Sequence, residues 1–211
     1  MQIAEIYHSV QGESRFAGLP CVFVRTTGCN LRCTWCDTEY AFYGGQRMSI
    51  DEVVSDVRKY GCQLVEITGG EPLLQKEVPQ LAHRLLAGGF QVLIETSGER
   101  DISVLDRRVI KIMDLKCPGS GECGKNRWEN LTFLSPEDEV KFVIKDRDDY
   151  EWAKKVVQDR ELHRIAHILF SPVFGAIELQ SLVAWILEDK LPVRFQIQMH
   201  KVIWSPATTG V

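Results

Sequence analysis

Three of the seven cysteines in this chain, Cys29, Cys33 and Cys36, share one polar stretch with the spacing C-x3-C-x2-C behind an apolar run. Thiolates are soft and polarizable, so sulfurs this close select zinc or an iron-sulfur cluster over calcium or magnesium. A structural zinc site takes four ligands, usually as two separated pairs, and no fourth ligand lies near this loop. The four-cysteine runs of electron-carrying ferredoxins leave no iron free. Three sulfurs on a four-iron cluster leave one iron open, and an open iron suits a ligand bearing both an amine and a carboxylate, as methionine does. Three unligated thiols in a reducing compartment is the plain alternative.

A second chemically suggestive stretch is Thr68-Gly69-Gly70-Glu71-Pro72, directly after the strand-like run Gln63 to Thr68. Adjacent glycines let the backbone approach a ligand closely, although a plain strand-to-helix turn would use Gly-Gly and Pro too. The cysteine loop followed by Gly-Gly-Glu-Pro resembles the radical S-adenosylmethionine superfamily. The resemblance implies that the open iron chelates the methionyl part of S-adenosylmethionine, whose amine the segment Gly69, Gly70, Glu71 binds. Cleavage of the sulfonium by the reduced cluster then yields a 5'-deoxyadenosyl radical.

The elements that must position these loops can be read from periodicity. Gln2 to Val10 and Cys21 to Thr26 read as strands, the second broken by Arg25, a charge that is costly to bury unpaired. Arg25 is either in a structural salt bridge or facing an anionic ligand group, which its guanidinium fork fits well. Ser49-Ile50-Asp51-Glu52 is a capping box, and Ile50, Val53, Val54 and Val57 place a helix running to about Tyr60. A helix over Val78 to Leu85 follows, then strands at Phe90 to Ile94, Arg108 to Leu115 and Val140 to Ile144. Asp146 caps a helix through Val157, Ile165 to Phe170 is a strand, Leu179 to Ile186 a helix, and Val193 to Met199 a final strand. Alternation of this kind argues for parallel strands with crossover helices. Polar residues recur at strand carboxyl ends: Glu95 to Gly98, Asp114 to Lys116, Ser171 to Phe174, and His200. That favours an α/β partial (β/α) barrel over a doubly wound open sheet. Gln11-Gly12-Glu13-Ser14 is a polar turn that either contacts a ligand or is simply solvated. Cys21, Cys62, Cys117 and Cys123 read as free thiols.

Composition sets the frame. The 211 residues, 45% hydrophobic and 26% charged, suit one globular domain over 1–211. A net charge of -4 does not suggest a nucleic-acid groove. The unevenly spaced cysteines do not form a secreted disulfide framework. The sequence shows neither a signal peptide nor an apolar run of membrane-spanning length, so a cytoplasmic, membrane-free location is expected.

Gln11-Gly12-Glu13, Arg25, Cys36-Asp37-Thr38, Thr68 to Pro72, Glu95 to Gly98 and Gln198-Met199-His200-Lys201 together resemble the 7-carboxy-7-deazaguanine synthase family, over nearly the whole chain. The resemblance implies a lyase that converts 6-carboxy-5,6,7,8-tetrahydropterin to 7-carboxy-7-deazaguanine with loss of ammonia, in queuosine and deazapurine biosynthesis. Its implied cofactors are a [4Fe-4S] cluster, regenerated S-adenosylmethionine and magnesium, and its partners an external one-electron reductant such as flavodoxin and a second copy in a homodimer. Carried over by residue, Cys29, Cys33 and Cys36 hold the cluster, and Thr38 places its hydroxyl on magnesium. Trp35, Cys36, Asp37, Gly69, Gly70, Glu71, Asp114, Leu115, Lys116, Ser171, Pro172, Val173 and Phe174 contact S-adenosylmethionine. Val10, Gln11, Gly12, Glu13, Arg25, Thr68, Glu95, Ser97 and His200 line the pterin pocket, with Arg25 on the substrate carboxylate. Ser97 stands where Asn is common in that family, and residues continue past Pro206 where the family often ends near a proline. Rival readings are a glycyl-radical enzyme activating protein, a non-catalytic iron-sulfur electron carrier and a structural zinc domain.

Overall fold

The computed structural model describes residues 1–205 and 208–211. Pro206 and Ala207 lie outside the described residues, whereas Thr208 to Val211, the residues that continue past the proline, are described and border the inner-face cavity. The apolar runs of the sequence become strands β1 (Gln2–Val10), β2 (Pro20–Thr26), β3 (Gln46–Arg47), β4 (Leu64–Gly69), β5 (Gln91–Thr96), β6 (Ile110–Asp114), β7 (Glu139–Ile144), β8 (His167–Pro172) and β9 (Arg194–Phe195). They form one sheet in the order β3-β1-β2-β4-β5-β6-β7-β8-β9. From β2 onward every pairing is parallel, whereas β1 runs antiparallel to both β2 and β3.

Helices α1 (Ile50–Lys59), α2 (Val78–Ala87), α3 (Arg147–Asp159) and α4 (Leu179–Glu188) cross over between parallel strands. The capping box of α1 forms as its sequence requires: Glu52 N–H donates to Ser49 Oγ (3.2 Å) and Ser49 N–H to the Glu52 carboxylate (2.7 Å). Strict alternation of helix and strand fails in two places. Between β5 and β6, and again between β6 and β7, only short 3₁₀ turns connect the strands. The second of these connections carries Pro118, Gly119, Gly121 and Gly124, residues that interrupt a helix.

The expected last strand over Val193 to Met199 is also corrected. Pairing stops at Phe195, and Met199 opens a short helix α5 (Met199–Ile203). Two bonds pull this segment off the sheet. Met199 N–H donates to Gly12 O (2.9 Å), and the Gln196 side chain donates to Ser14 O (2.5 Å). His200 therefore stands on a helix over the loop after β1, not at a strand end.

The sheet is curled into a partial barrel. Glu13, only three residues beyond β1, reaches Lys141 on β7 at 3.0 Å. Five strand spacings separate β1 from β7 in the sheet order, yet the loop after β1 bonds β7 at two places, Lys141 and Glu139. The outer face is apolar: Val22, Val24, Val65, Ile67, Val92, Ile94, Val140 and Phe142 are buried beneath the helices. The inner face changes character along the strands. Cys21, Phe23, Leu64, Leu93 and Ile112 form a small apolar plug, and Arg25, Glu66, Glu95 and Asp114 follow two residues later on the same face, with Thr68 one inward position beyond Glu66. Because β1 is reversed, Val10 pairs with Pro20 where β2 begins. The loop Gln11 to Leu19 thus crosses beneath the inner face.

Replacing the α1 cap, Ser49→Ala, removes one arm of the capping box. We expect a loss of about 1 kcal/mol of stability, read as a lower denaturation midpoint with unchanged ligand binding.

Candidate active site

The cysteine loop sits where β2 ends, held from several sides. Leu31 buries its side chain beneath it, and Arg32 N–H donates to Glu122 Oε1 (2.6 Å). Thr34 donates to Gly119 O (2.9 Å, side chain) and Ser120 O (3.1 Å, backbone). That supporting loop is itself pinned by Asp149 at the start of α3, which accepts from Gly119 N–H at 2.8 Å. The Gly-rich stretch containing Cys117 and Cys123 therefore acts as a backstop. Both cysteines are free thiols, as are Cys21 and Cys62.

Glycine is required where β4 meets the cysteine loop. A Cβ on Gly70 would lie 2.7 Å from both Cys29 Cβ and the Gly28 carbonyl carbon, and closer still to the Gly28 oxygen. Gly69 has φ 150°, and its Cβ would lie 2.7 Å from Thr26 N. Both positions exclude a side chain because two backbones touch there.

Cys29, Cys33 and Cys36 all border a cavity of about 330 Å³ on the inner face. The thiols are half-buried and free, and burial raises each above the ordinary thiol range. A metal cluster is the natural partner for such a donor set, since it would supply the positive charge that stabilises thiolates against this burial. The residues fit the implied cluster on these grounds. Among the described residues, no group of three His, Cys, Asp or Glu already converges tightly enough to hold a single metal ion.

All nine residues expected to line the pterin pocket border the same cavity: Val10, Gln11, Gly12, Glu13, Arg25, Thr68, Glu95, Ser97 and His200. Of those expected at S-adenosylmethionine, Trp35, Cys36, Asp37, Gly69, Gly70, Asp114, Lys116, Val173 and Phe174 border it, with Thr38 beside them. Glu71, Leu115, Ser171 and Pro172 are not among the lining residues. Leu115 is fully buried in the outer core, and Ser171 Oγ is buried without a hydrogen-bond partner. Glu71 is fully buried, and its carboxylate accepts from Leu73 N–H, Thr96 Oγ1, Ser97 N–H and Ser97 Oγ at 2.7 to 3.0 Å. It braces the ends of β4 and β5 from behind the cavity wall.

Charge on the inner face is dense. Arg25 donates from Nε to Glu5 Oε1 (2.8 Å) and from Nη2 to Tyr7 Oη (2.8 Å). Burial pushes the Tyr7 phenol up to about 12, against the pull of Arg25. A guanidinium has five N–H groups, so three remain for an anion. Asp37 accepts from Lys201 Nζ at 2.5 Å and from Thr38 Oγ1 at 3.0 Å. Burial works against its ionisation, but the Lys201 ammonium and these hydrogen bonds hold it well below the usual carboxylate range. Lys116 pairs with Asp114 Oδ2 at 2.8 Å, while Asp114 Oδ1 is buried with no partner. Burial lowers the His200 imidazole from its ordinary value.

Two charged residues in the floor escaped the sequence reading. Glu66 on β4 and Lys141 on β7 border the cavity and are almost fully buried. Each lies inside a run read as an apolar strand, and each breaks it on the inward side. Gln11 donates to Glu66, and Lys141 contacts Glu95 as well as Glu13. Burial raises the Glu66 carboxyl well above its ordinary range, and the neighbouring Glu95 and Glu13 add to the rise.

An open α/β barrel carrying three free cysteines in one loop at a strand end, against a Gly-Gly turn, defines a class. Residues 23–159 match the model of the radical SAM superfamily, and the chain belongs to it. Its curated relatives include two 7-carboxy-7-deazaguanine synthases of high identity. That of Koribacter versatilis (strain Ellin345) is 51% identical over 226 residues, covering 100% of both chains. That of Chlorobaculum tepidum is 43% identical over 214 residues, covering 100% of this chain and 97% of its own. Within the superfamily, the chain is a member of the 7-carboxy-7-deazaguanine synthase family. The crystal structure of QueE from Escherichia coli shares the fold, with a TM-score of 0.77 over 94% of each chain at 21% identity. Membership in this family displaces the zinc, electron-carrier and protein-activating readings.

Gly70→Ala should fold, because Gly70 lies outside the helical core, yet push the cysteine loop away. We expect iron content after anaerobic reconstitution to fall at least several-fold, with far-ultraviolet circular dichroism unchanged.

Proposed function

We propose that this chain converts 6-carboxy-5,6,7,8-tetrahydropterin to 7-carboxy-7-deazaguanine and ammonia. The observation that carries the reading is the meeting, in one cavity, of the three cluster-type thiols with Arg25 and the carboxyls of Glu13, Glu66 and Glu95. The substrate is a small heterocycle with a carboxylate on one ring and an N–H-rich aminopyrimidinone on the other. A guanidinium with free donors suits the first, and carboxyls suit the second. Full-length identity of 51% to a relative bearing that activity's name supports the same assignment.

Cys29, Cys33 and Cys36 would hold the [4Fe-4S] cluster, and the walls Trp35, Asp37, Gly70, Asp114, Lys116, Val173 and Phe174 would receive S-adenosylmethionine. Gly69 leaves the backbone open at the same turn. Glu71 acts behind that turn, keeping Gly70 and Ser97 in register. Leu115, Ser171 and Pro172 support the neighbouring strand ends. When bound, the cluster and S-adenosylmethionine supply a hydrogen-abstracting carbon radical.

The chain's own residues do the rest. Arg25, fixed by Glu5 and Tyr7, orients the substrate carboxylate. Glu13, whose Oε1 is buried without a partner, accepts a ring N–H. Gln11 is held twice, donating to Glu66 and accepting from Glu13 N–H at 3.0 Å, so the floor is rigid before ligand arrives. Gly12 leaves room for His200: a Cβ there would collide with the imidazole Nδ1. With its imidazole neutral near pH 7, His200 offers one donor and one acceptor from above. Thr68 and Ser97 complete the wall, and Val10 closes the side toward β1. This arrangement fixes one face of the ring and excludes competing hydrogen donors.

Thr38 would contribute a single hydroxyl to magnesium, whose remaining oxygens come from substrate and water. We further propose one functional domain over residues 1–211, a cytoplasmic location, a flavodoxin-type reductant and a homodimeric state. None of the described helices is long and apolar enough to cross a membrane.

The test is anaerobic turnover of the reconstituted protein with dithionite, S-adenosylmethionine, magnesium and the pterin, followed by mass. Product formation, abolished in Cys33→Ala together with cluster absorbance, is expected; cleavage to 5'-deoxyadenosine with the pterin untouched would overturn the substrate. Arg25→Met should raise KM by about 30-fold or more, the worth of charge-assisted hydrogen bonds to a carboxylate.

A further inference from the structure

We propose that Lys141 is a positioning residue that holds the carboxyls of Glu13 and Glu95 together as paired acceptors for the N–H edge of the heterocycle. The inference rests on the pterin reading above and assigns a role to a residue that the sequence motifs do not include.

Geometry supplies the argument. Lys141 projects inward from the middle of β7, its side chain 5% exposed. Its Nζ lies 3.0 Å from Glu13 Oε2 and in direct contact with Glu95 Oε1. These carboxyls come from opposite parts of the barrel, Glu13 from the loop beneath β1 and Glu95 from β5. No other cation among the described residues bonds to either of them. A third carboxyl, Glu66 on β4, shares the floor. Asp114 on β6 faces the same space, with Lys116 as its own partner, while Glu139 lies one inward position earlier on β7 beside Arg15. His200 and Asp37 approach from above.

Like charges this close cannot all remain ionised in a half-dry cavity without a cation among them. Lys141 is that cation. It uses one oxygen of Glu13 and leaves Oε1 buried and unpartnered at the cavity, so the free oxygen is aimed by the bonded one. Burial raises the Glu95 carboxyl, Lys141 is the largest influence pulling it back down, and Glu13 pushes it up again. Removing the ammonium therefore moves Glu95 further up. Ligand binding that needs an ionised acceptor is present above that carboxyl's pKa and lost as pH falls through it. Without Lys141 the loss begins at higher pH.

The experiment is anaerobic calorimetry of holoenzyme with S-adenosylmethionine and 6-carboxy-5,6,7,8-tetrahydropterin, without reductant so that nothing turns over, repeated across roughly pH 5 to 8. In Lys141→Met we expect at least about tenfold weaker binding at pH 7 and an acid limb shifted upward by about one pH unit. Lys141→Arg keeps a cation and should retain the wild-type acid limb even where affinity falls. A purely structural lysine predicts weaker binding in Lys141→Met with its acid limb in the wild-type position, and that result overturns the proposal. Unchanged affinity in Lys141→Met overturns it too. If Lys141→Met does not fold, the arginine variant decides alone: an acid limb displaced by a full unit despite the retained charge overturns the proposal. Wild-type protein that fails to bind the pterin at any pH would instead overturn the substrate reading.

Discussion

The site depends on a contact between two backbones. Where β4 ends, Glu71 N–H donates to Gly28 O at 2.8 Å and Gly70 N–H to Thr26 O at 3.4 Å, so the cysteine loop lies directly on the Gly-Gly turn. That approach is possible only without side chains at Gly69 and Gly70. The Glu71 carboxylate then fastens the turn to the end of β5 through Thr96 and Ser97. A fully buried carboxylate is costly unless its lone pairs are met, and here four donors meet them. The cavity wall inherits its shape from this knot. Glu71 thus matters to the site without bordering it.

How far the sequence discloses this can be judged residue by residue. The three cysteines and the Gly-Gly turn are legible because their types are demanded by chemistry and by close packing. The α1 cap is legible because a capping box is a local device. Less local facts are harder to see. That β1 is reversed depends on its pairing with β2, and both directions present the same alternation of side chains. The helix at Met199 follows from tertiary bonds to Gly12 and Ser14 that no periodicity records. Lys141 and Glu66 were readable in principle as charges on the inward parity of apolar strands. Neither belongs to a motif, and inward charge signals a site only when several strands bring such residues together.

The two ends of the inner face show the same physics with opposite results. At the strand starts, Cys21, Phe23, Leu64, Leu93 and Ile112 exclude water. One or two inward positions further along, Arg25, Glu66, Glu95, Lys141 and Asp114 gather more ionisable groups than a packed core tolerates. Such a cluster is destabilising compared with an apolar core of the same volume. The apolar plug beneath and the helices behind stabilise the fold enough to carry it. Strain of this kind is expected at a functional site, where local rules are broken and offset elsewhere.

Reversal of β1 explains how so small a chain closes its own floor. A parallel first strand would leave its following loop at the strand carboxyl ends, above the cavity. Running the other way, β1 delivers Gln11, Gly12 and Glu13 from below, where Arg15 N–H reaches Glu139 at 3.2 Å and Gln196 ties to Ser14. The loop stands in for the strands that a complete eight-unit barrel would provide. It also places Glu13 opposite β7, beside Lys141. The same topological choice that shortens the barrel therefore supplies the acceptor in its floor, and it leaves the strand carboxyl ends free for the cysteine loop.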